Sequence, residues 1–111
     1  MKALFICNMN MHRSKTAEEM FSDRFETDSA GIYNNIVTSE QLEWADIVFV
    51  MEEIQRTRLG ELYPKQYMKK RILNLEIPDV YRFNQPELVE LLKQRMKAIE
   101  ATFQKSSKLP V

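Results

Sequence analysis

A cysteine and an arginine near the amino terminus have the types and the spacing of a nucleophilic phosphate-binding loop. Cys7 is the only cysteine of the chain, and Arg13 follows it after five intervening residues. Five residues are enough for main-chain N–H groups to curl around a tetrahedral oxyanion. The planar fork of an arginine side chain can bind two oxygens of the same anion. The spacing therefore predicts an attacking sulfur, an anion cradle and a fixed positive charge in one short segment.

The residues between and after these two have supporting parts in the prediction. Ser14 is placed to hydrogen-bond the sulfur as it leaves a phosphorylated intermediate, and Asn10 is the residue best able to take a left-handed conformation in a loop without glycine. A helix N-terminus and a nearby arginine favour the thiolate form of cysteine, so we expect Cys7 to be ionised in the empty site. The predicted phosphate-binding residues are Asn8, Met9, Asn10, Met11, His12, Arg13 and Ser14.

The setting of this loop separates it from a chance match. Cysteine followed by arginine at this distance is common, and a cysteine after a buried strand is usually a small apolar side chain. Here residues 2–6 form a short apolar run typical of a strand in a parallel sheet. Helical spacing of apolar residues begins at Ser14 and continues through Ala17, Met20, Phe21 and Phe25. The loop is therefore predicted to join a strand to a helix N-terminus, where anions bind.

Strand and helix patterns alternate along the rest of the chain. An apolar, β-branched run predicts a strand at 47–51. A short strand that ends in a glycine turn is predicted at 27–31, and a further strand at 72–75 after a basic stretch. Capping residues and helical periodicity predict helices that begin at Thr38 with Gln41 in a capping box, at Glu52 with an interruption near Gly60, and at Pro86. The last helix has an apolar stripe formed by Leu88, Leu91, Leu92, Met96, Ile99 and Phe103.

Four strands alternating with helices predict a doubly wound α/β fold. We expect three layers: one sheet of four parallel strands, with helices on both of its faces. Ligands of such folds bind beyond the carboxyl ends of the strands, where the strand order reverses. Cys7 is predicted at that end of the first strand.

Composition and charge exclude several classes of protein. The chain has 111 residues, of which 44% are hydrophobic and 29% are charged. This is the composition of a globular protein and the length of a single domain, residues 1–111. Lys and Arg number 16, as do Asp and Glu, so no net field attracts nucleic acid or an anionic membrane.

The same sequence predicts a cytoplasmic location. No apolar stretch approaches the roughly 20 residues that span a bilayer, and the apolar run after Lys2 is too short for a secretory signal. A single cysteine cannot form an internal disulfide. Reducing conditions in the cytoplasm would keep Cys7 as a thiol.

Hydrolysis of a phosphate ester also needs an acid that protonates the departing oxygen. Asp79 follows the fourth predicted strand, so it is expected at the same edge of the sheet as Cys7. A Pro-Asp pair such as Pro78-Asp79 also occurs in turns without any catalytic part. Glu76 and Asp28 are rival candidates that the sequence does not separate from Asp79.

The chain resembles the low-molecular-weight protein tyrosine phosphatases. The resemblance rests on residues 4–14 and, in the same order along the chain, on residues 17–18, 29–31, 45–52 and 77–81. It implies a flavodoxin-like, phosphotyrosine phosphatase I-like fold and an enzyme without metal or cofactor.

The resemblance also implies roles for individual residues. Cys7 forms a phosphocysteine intermediate, Arg13 binds the phosphate, and Ser14 assists the sulfur. Asn10 shapes the loop. Asp79 takes the place of the acid, with Tyr81 at the aromatic position that follows it.

The chain departs from the family pattern at several places. Met9 replaces a glycine of the loop, His12 stands where a second cysteine is often found, and Asp79 is followed by Val80 rather than proline. The chain is also shorter than the family norm, with the shortfall after Gly31, so no substrate preference is implied. His12 is the only histidine and has no second metal ligand at suitable spacing, which favours a surface or loop-packing role.

The leading hypothesis is a cysteine-dependent phosphatase that hydrolyses phosphotyrosine or another small phosphomonoester and releases inorganic phosphate. Arsenate reduction on the same fold uses additional cysteines, and this chain has none beyond Cys7, which argues against that activity. The cysteine-phosphorylated subunits of sugar phosphotransferase systems lack the loop arginine, so Arg13 argues against a phosphate carrier. A different class stays open: a phosphate-binding or phosphoprotein-binding module with weak catalysis. The sequence predicts neither the physiological substrate nor the oligomeric state.

Overall fold

Strands and helices alternate along the chain in the computed structural model, which describes the backbone of residues 1–108 and the side chains of residues 1–102. The predicted alternation is confirmed, with one additional helix, α4. The elements are β1 (Lys2–Cys7), α1 (Arg13–Met20), β2 (Glu26–Gly31), α2 (Ser39–Trp44), β3 (Ile47–Val50), α3 (Glu53–Leu62), α4 (Pro64–Lys69), β4 (Arg71–Asn74) and α5 (Pro86–Lys108).

The four strands form one parallel sheet in the order β2-β1-β3-β4. Ala3 of β1 pairs with Thr27 on one side and with Ile47 on the other. The chain therefore moves outward from β1 to β2 and then crosses back to β3. This reversal lies beside the carboxyl end of β1, which places Cys7 at the ligand-binding edge of a doubly wound sheet.

Each face of the sheet is covered by its own apolar core. Alternate residues of β1 point to opposite faces, so Phe5 and Cys7 belong to one core while Leu4 and Ile6 belong to the other. The first core contains residues of α1 and α5, and the second contains residues of α2 and α3. The predicted three-layer arrangement is confirmed.

The helices confirm most of the sequence signals and correct two of them. Thr38 caps α2 and forms a capping box with Gln41. The apolar stripe of α5 buries Leu88, Leu92 and Met96, while the side chain of Phe103 lies outside the described residues. The helix α1 ends at Met20, so the predicted helix does not extend to Phe21 and Phe25. Both still pack into the core, because a periodic apolar pattern reports burial as well as helix.

The predicted interruption at Gly60 is wrong. Gly60 lies inside α3, and a Cβ atom built on it would be 3.6 Å from the ring of Tyr67 in α4. That distance is an ordinary van der Waals contact. Pro64 occupies the first turn of α4, which is the position that proline favours.

The two glycines of the chain predict opposite effects of substitution by alanine. A Cβ atom at Gly31 would lie 2.1 Å from the carbonyl oxygen of Asn34 and 2.9 Å from that of Asn8. Gly31→Ala is therefore expected to lower the free energy of unfolding by about 2 kcal/mol or more. Gly60→Ala has room and is expected to raise it by about 0.5–1 kcal/mol. Urea unfolding followed by the fluorescence of Trp44 measures both, and equal shifts would contradict the packing described.

Candidate active site

The cysteine of the loop lies at the end of β1 with its sulfur inside a hydrogen-bonded turn. Cys7 is 3% exposed, and its Sγ atom accepts a hydrogen bond from the main-chain N–H of Asn10 over 3.2 Å. Asn10 has φ 53°, in the left-handed region predicted for it. This conformation turns the main chain back over the sulfur, and successive N–H groups in such turns form anion-binding hollows.

A chain of side-chain hydrogen bonds leads to the sulfur of Cys7. The Oγ atom of Ser14 lies 3.0 Å from Sγ of Cys7 and accepts a hydrogen bond of 2.8 Å from the side-chain amide of Asn10. The carbonyl oxygen of that amide accepts in turn from the side chain of Asn35. Since Asn10 occupies an acceptor site of the hydroxyl, the hydroxyl hydrogen of Ser14 is free to point at the sulfur.

The arginine of the loop is buried and held by two acceptors. Arg13 is 1% exposed. Its Nη1 atom donates to Oε1 of Glu52 over 2.6 Å and to the carbonyl oxygen of Ile77 over 2.8 Å. These contacts use both hydrogens of Nη1. The guanidinium is thereby fixed in position, with the edge formed by Nε and Nη2 left for other partners.

Asp79 is the one of the three acid candidates that reaches this cluster. Its Oδ1 atom lies 3.5 Å from Nη2 of Arg13, and it lines a cavity of about 180 Å³ together with Cys7 and Arg13. Asp28 instead binds Gln41 of α2, and Glu76 is exposed at the turn after β4. Position therefore favours Asp79 among the three candidates, and its part as the acid stays a prediction.

The remaining predicted residues lie at the mouth of the cavity or brace it. Met9 and Met11 line the cavity with 45% and 53% of their surfaces exposed. His12 also lines it, and its Nδ1 accepts the main-chain N–H of Phe83. Tyr81 packs against the apolar core that contains Cys7.

The segment that follows β2 supports the loop from outside. The main-chain N–H of Ile32 bonds to the carbonyl oxygens of Cys7 and Asn8 at 3.1 and 2.9 Å. The side chain of Asn34 donates to the carbonyl oxygen of Met9. Gly31 is required at the start of this segment because any larger residue would collide with it. The loop around Cys7 is therefore tied to the end of β2 as well as to β1.

Two site residues were missed by the sequence analysis, Glu52 and Gln55. Glu52 follows β3, beside the end of β1, and this position at the shared edge of the sheet was the available signal. Gln55 is completely buried. Its Oε1 accepts the N–H groups of Met51 and Glu52, and its Nε2 donates to Oδ1 of Asn8. One amide thus connects the loop of Cys7 to the turn that carries the partner of Arg13.

Replacing this amide by a thioether predicts a large loss of stability. Gln55→Met leaves the buried N–H groups of Met51 and Glu52 without their acceptor, and each such loss costs about 1–3 kcal/mol. We expect the free energy of unfolding to fall by about 2–4 kcal/mol. The matched control is Gln94→Met on the exposed side of α5, expected within about 0.5 kcal/mol of the parent. Similar values for the two variants in urea unfolding would argue against the connection.

Solved structures of phosphatases share this fold. The low-molecular-weight phosphotyrosine phosphatase VcLMWPTP-2 from Vibrio cholerae O395 superposes with a TM-score of 0.76 at 17% identity, covering 95% of this chain and 97% of that chain. The tyrosine phosphatase Wzb from Escherichia coli K30, solved with phosphate, gives 0.73 at 20% identity over 91% and 96%. A variant of the YwlE arginine phosphatase with a phosphorylated active-site serine in place of cysteine gives 0.68 at 20% identity over 90% and 96%.

These likenesses define the class of fold. The sheet order β2-β1-β3-β4 and the cysteine loop at its switch point give the chain the fold of the low-molecular-weight protein tyrosine phosphatases. The resemblance seen in the sequence is confirmed at that level. No protein-family model and no curated protein matches the chain.

Proposed function

We propose that the protein is a cysteine-dependent phosphatase that hydrolyses phosphotyrosine or a related small phosphomonoester. The observation that carries the proposal is that Cys7, Arg13 and Asp79 line one cavity of about 180 Å³. Pockets that enclose a drug-sized ligand measure about 300–1,000 Å³. The smaller cavity suits a phosphoryl group, with the rest of the substrate lying on the exposed rim formed by Met9 and Met11.

The first step transfers the phosphoryl group to the enzyme. The thiolate of Cys7 attacks phosphorus, the bond between phosphorus and the ester oxygen breaks, and the proton of the Asp79 carboxyl group moves to the departing oxygen. A phosphocysteine and a free alcohol or phenol result. The edge of Arg13 formed by Nε and Nη2 holds two phosphoryl oxygens, since Glu52 and Ile77 already occupy Nη1.

The second step releases inorganic phosphate. The carboxylate of Asp79 takes a proton from water, the water oxygen attacks phosphorus, and the bond between phosphorus and sulfur breaks. The electron pair returns to the sulfur of Cys7 as a thiolate. The hydroxyl of Ser14, 3.0 Å away, stabilises that charge by donating a hydrogen bond.

The setting of this reaction is part of the proposal. A reducing compartment such as the cytoplasm keeps the sulfur of Cys7 available, and a phosphorylated protein or a small phosphomonoester is the substrate. None of the helices in the described part of the chain combines the length and apolar character needed to cross a bilayer.

Rapid mixing with p-nitrophenyl phosphate tests the proposal. The wild-type protein is expected to release p-nitrophenol in steady turnover. A burst of one equivalent per chain is expected if phosphocysteine hydrolysis is slower than its formation. Vanadate or phosphate should inhibit competitively. Tight binding of phosphate without any turnover would overturn the enzymatic proposal in favour of a phosphate-binding module on the same fold.

A further inference from the structure

The histidine of the loop holds a second segment of the chain beside the cavity. The Nδ1 atom of His12 accepts the main-chain N–H of Phe83 over 3.1 Å. One helical turn further on, Oγ1 of Thr16 accepts the main-chain N–H of Asn84 over 2.9 Å. The two side chains therefore bind consecutive N–H groups of the segment that carries Asp79.

The same two residues are linked to each other. The N–H and the hydroxyl of Thr16 both donate to the carbonyl oxygen of His12, over 2.9 and 2.7 Å. His12 occupies the N-cap position of α1, yet its side chain makes no capping hydrogen bond. The imidazole is directed to Phe83 instead, so its observed role is to join segment 77–85 to the loop of Cys7.

This contact requires one protonation state of the imidazole. A main-chain N–H can only donate, so Nδ1 of His12 must carry a free electron pair, with the hydrogen on Nε2. A second proton on the ring would place two donors face to face and break the contact. Histidine is the side chain that commonly changes its charge between about pH 5 and 8.

We propose that neutral His12 is a positioning residue that holds segment 77–85, and with it Asp79, over Cys7, and that protonation of His12 releases the segment. The proposal rests on the phosphatase function proposed above, because it assigns Asp79 a position that matters for the rate. It concerns the docking of the acid and adds no group that touches the reacting atoms.

Other ionisable groups surround the imidazole and must be separated from it. Cys7, Arg13 and Asp79 share its cavity. A neighbouring groove, which reaches Met11 and Phe83, is lined by the charged residues Lys15, Glu18 and Glu19 of α1. All six groups remain when His12 is changed to asparagine. The ratio of wild-type kcat to His12→Asn kcat at each pH therefore separates the contribution of the imidazole from theirs.

Kinetics between pH 5.5 and 8 test the inference. Asparagine places its Oδ1 close to the position of Nδ1 and accepts a hydrogen bond at every pH in this range. We expect the ratio of wild-type kcat to His12→Asn kcat to fall about fivefold as the pH decreases from 8 to 5.5. Thr16→Val removes the contact with Asn84 without removing the imidazole, so it should lower kcat at every pH. The ratio of Thr16→Val kcat to His12→Asn kcat should still fall about fivefold as the pH decreases from 8 to 5.5. If the ratio of wild-type kcat to His12→Asn kcat does not change with pH, the proposal is overturned.

A measurement without substrate keeps this inference separate from the proposed function. Amide hydrogen exchange of Phe83, corrected for its intrinsic pH dependence, should lose protection at pH 5.5 relative to pH 7.5 in the wild type. It should not do so in His12→Asn. If the protein shows this pattern of protection but no turnover, the contact between His12 and segment 77–85 is supported and only the proposed phosphatase function is overturned. Equal changes of protection in both proteins would overturn the docking itself.

Discussion

Cys7→Ser is expected to lower the hydrolysis of p-nitrophenyl phosphate by about 10⁴-fold or more, the scale seen when a covalent nucleophile is removed. The serine hydroxyl is a far weaker nucleophile than a thiolate at neutral pH. The size of the side chain is nearly unchanged, and the N–H of Asn10 and the hydroxyl of Ser14 keep a partner at position 7. The loss should therefore appear in kcat rather than in folding.

Phosphate binding is the control for this variant. The anion cradle and Arg13 are intact in Cys7→Ser, so the Kd for inorganic phosphate, measured by calorimetry, should stay within about tenfold of the wild-type value (about 1.4 kcal/mol). Unfolding in urea should show a similar midpoint. Turnover that survives Cys7→Ser would show that another group attacks phosphorus.

Asp79→Asn is expected to lower kcat by about 10²–10⁴-fold, the range that a general acid contributes. Asparagine keeps the shape of the side chain and removes the proton that the leaving oxygen needs. Phenol is a poorer leaving group than p-nitrophenol, so the loss should be larger with phenyl phosphate. Steady-state kinetics with both esters measures this difference, which a change in binding alone would not produce.

The matched control for this prediction is Glu76→Gln. Glu76 lies three residues before Asp79 and is exposed at the turn after β4, so the change should leave kcat within about twofold, as expected of a surface substitution. Equal losses in both variants would indicate an electrostatic effect of the whole segment. If Asp79→Asn impairs phosphate binding as much as turnover, the binding module becomes the better description.

The strands and the main site residues were predictable because local signals and the topology agree. Residues 3–6 and 47–51 are uninterrupted apolar runs, and both lie in the interior of the sheet. Carboxyl ends of parallel strands meet at one edge, so Cys7, Arg13 and Asp79 were expected together. Cys7 ends β1, Arg13 begins α1 and Asp79 follows β4. Each of these three elements has its own local signal in the sequence.

The remaining features depend on contacts between distant segments. The helix α4 has no buried residue, and apolar residues do not recur in it at helical spacing. Pro64 was the only sequence feature that indicated a helix there. Glu52 contacts Arg13, and Gln55 contacts Asn8, although each pair is far apart in the sequence. No local sequence pattern predicts that the turns carrying these residues meet. The sequence also does not distinguish Tyr81, which packs against the core, from Phe83, whose main-chain N–H donates to His12.

The position of β1 has a consequence for the synthesis of the chain. β1 is made before the other three strands, yet it lies between β2 and β3 in the finished sheet. Until Ile47–Val50 emerges from the ribosome, one edge of this strand is open and both of its faces are apolar, which is the condition that favours pairing with other chains. Cys7 leaves the ribosome before the other residues of its site, and the site is complete only after residues 77–85 have followed. We expect the nascent chain to be aggregation-prone during that interval and unable to bind phosphate before it ends.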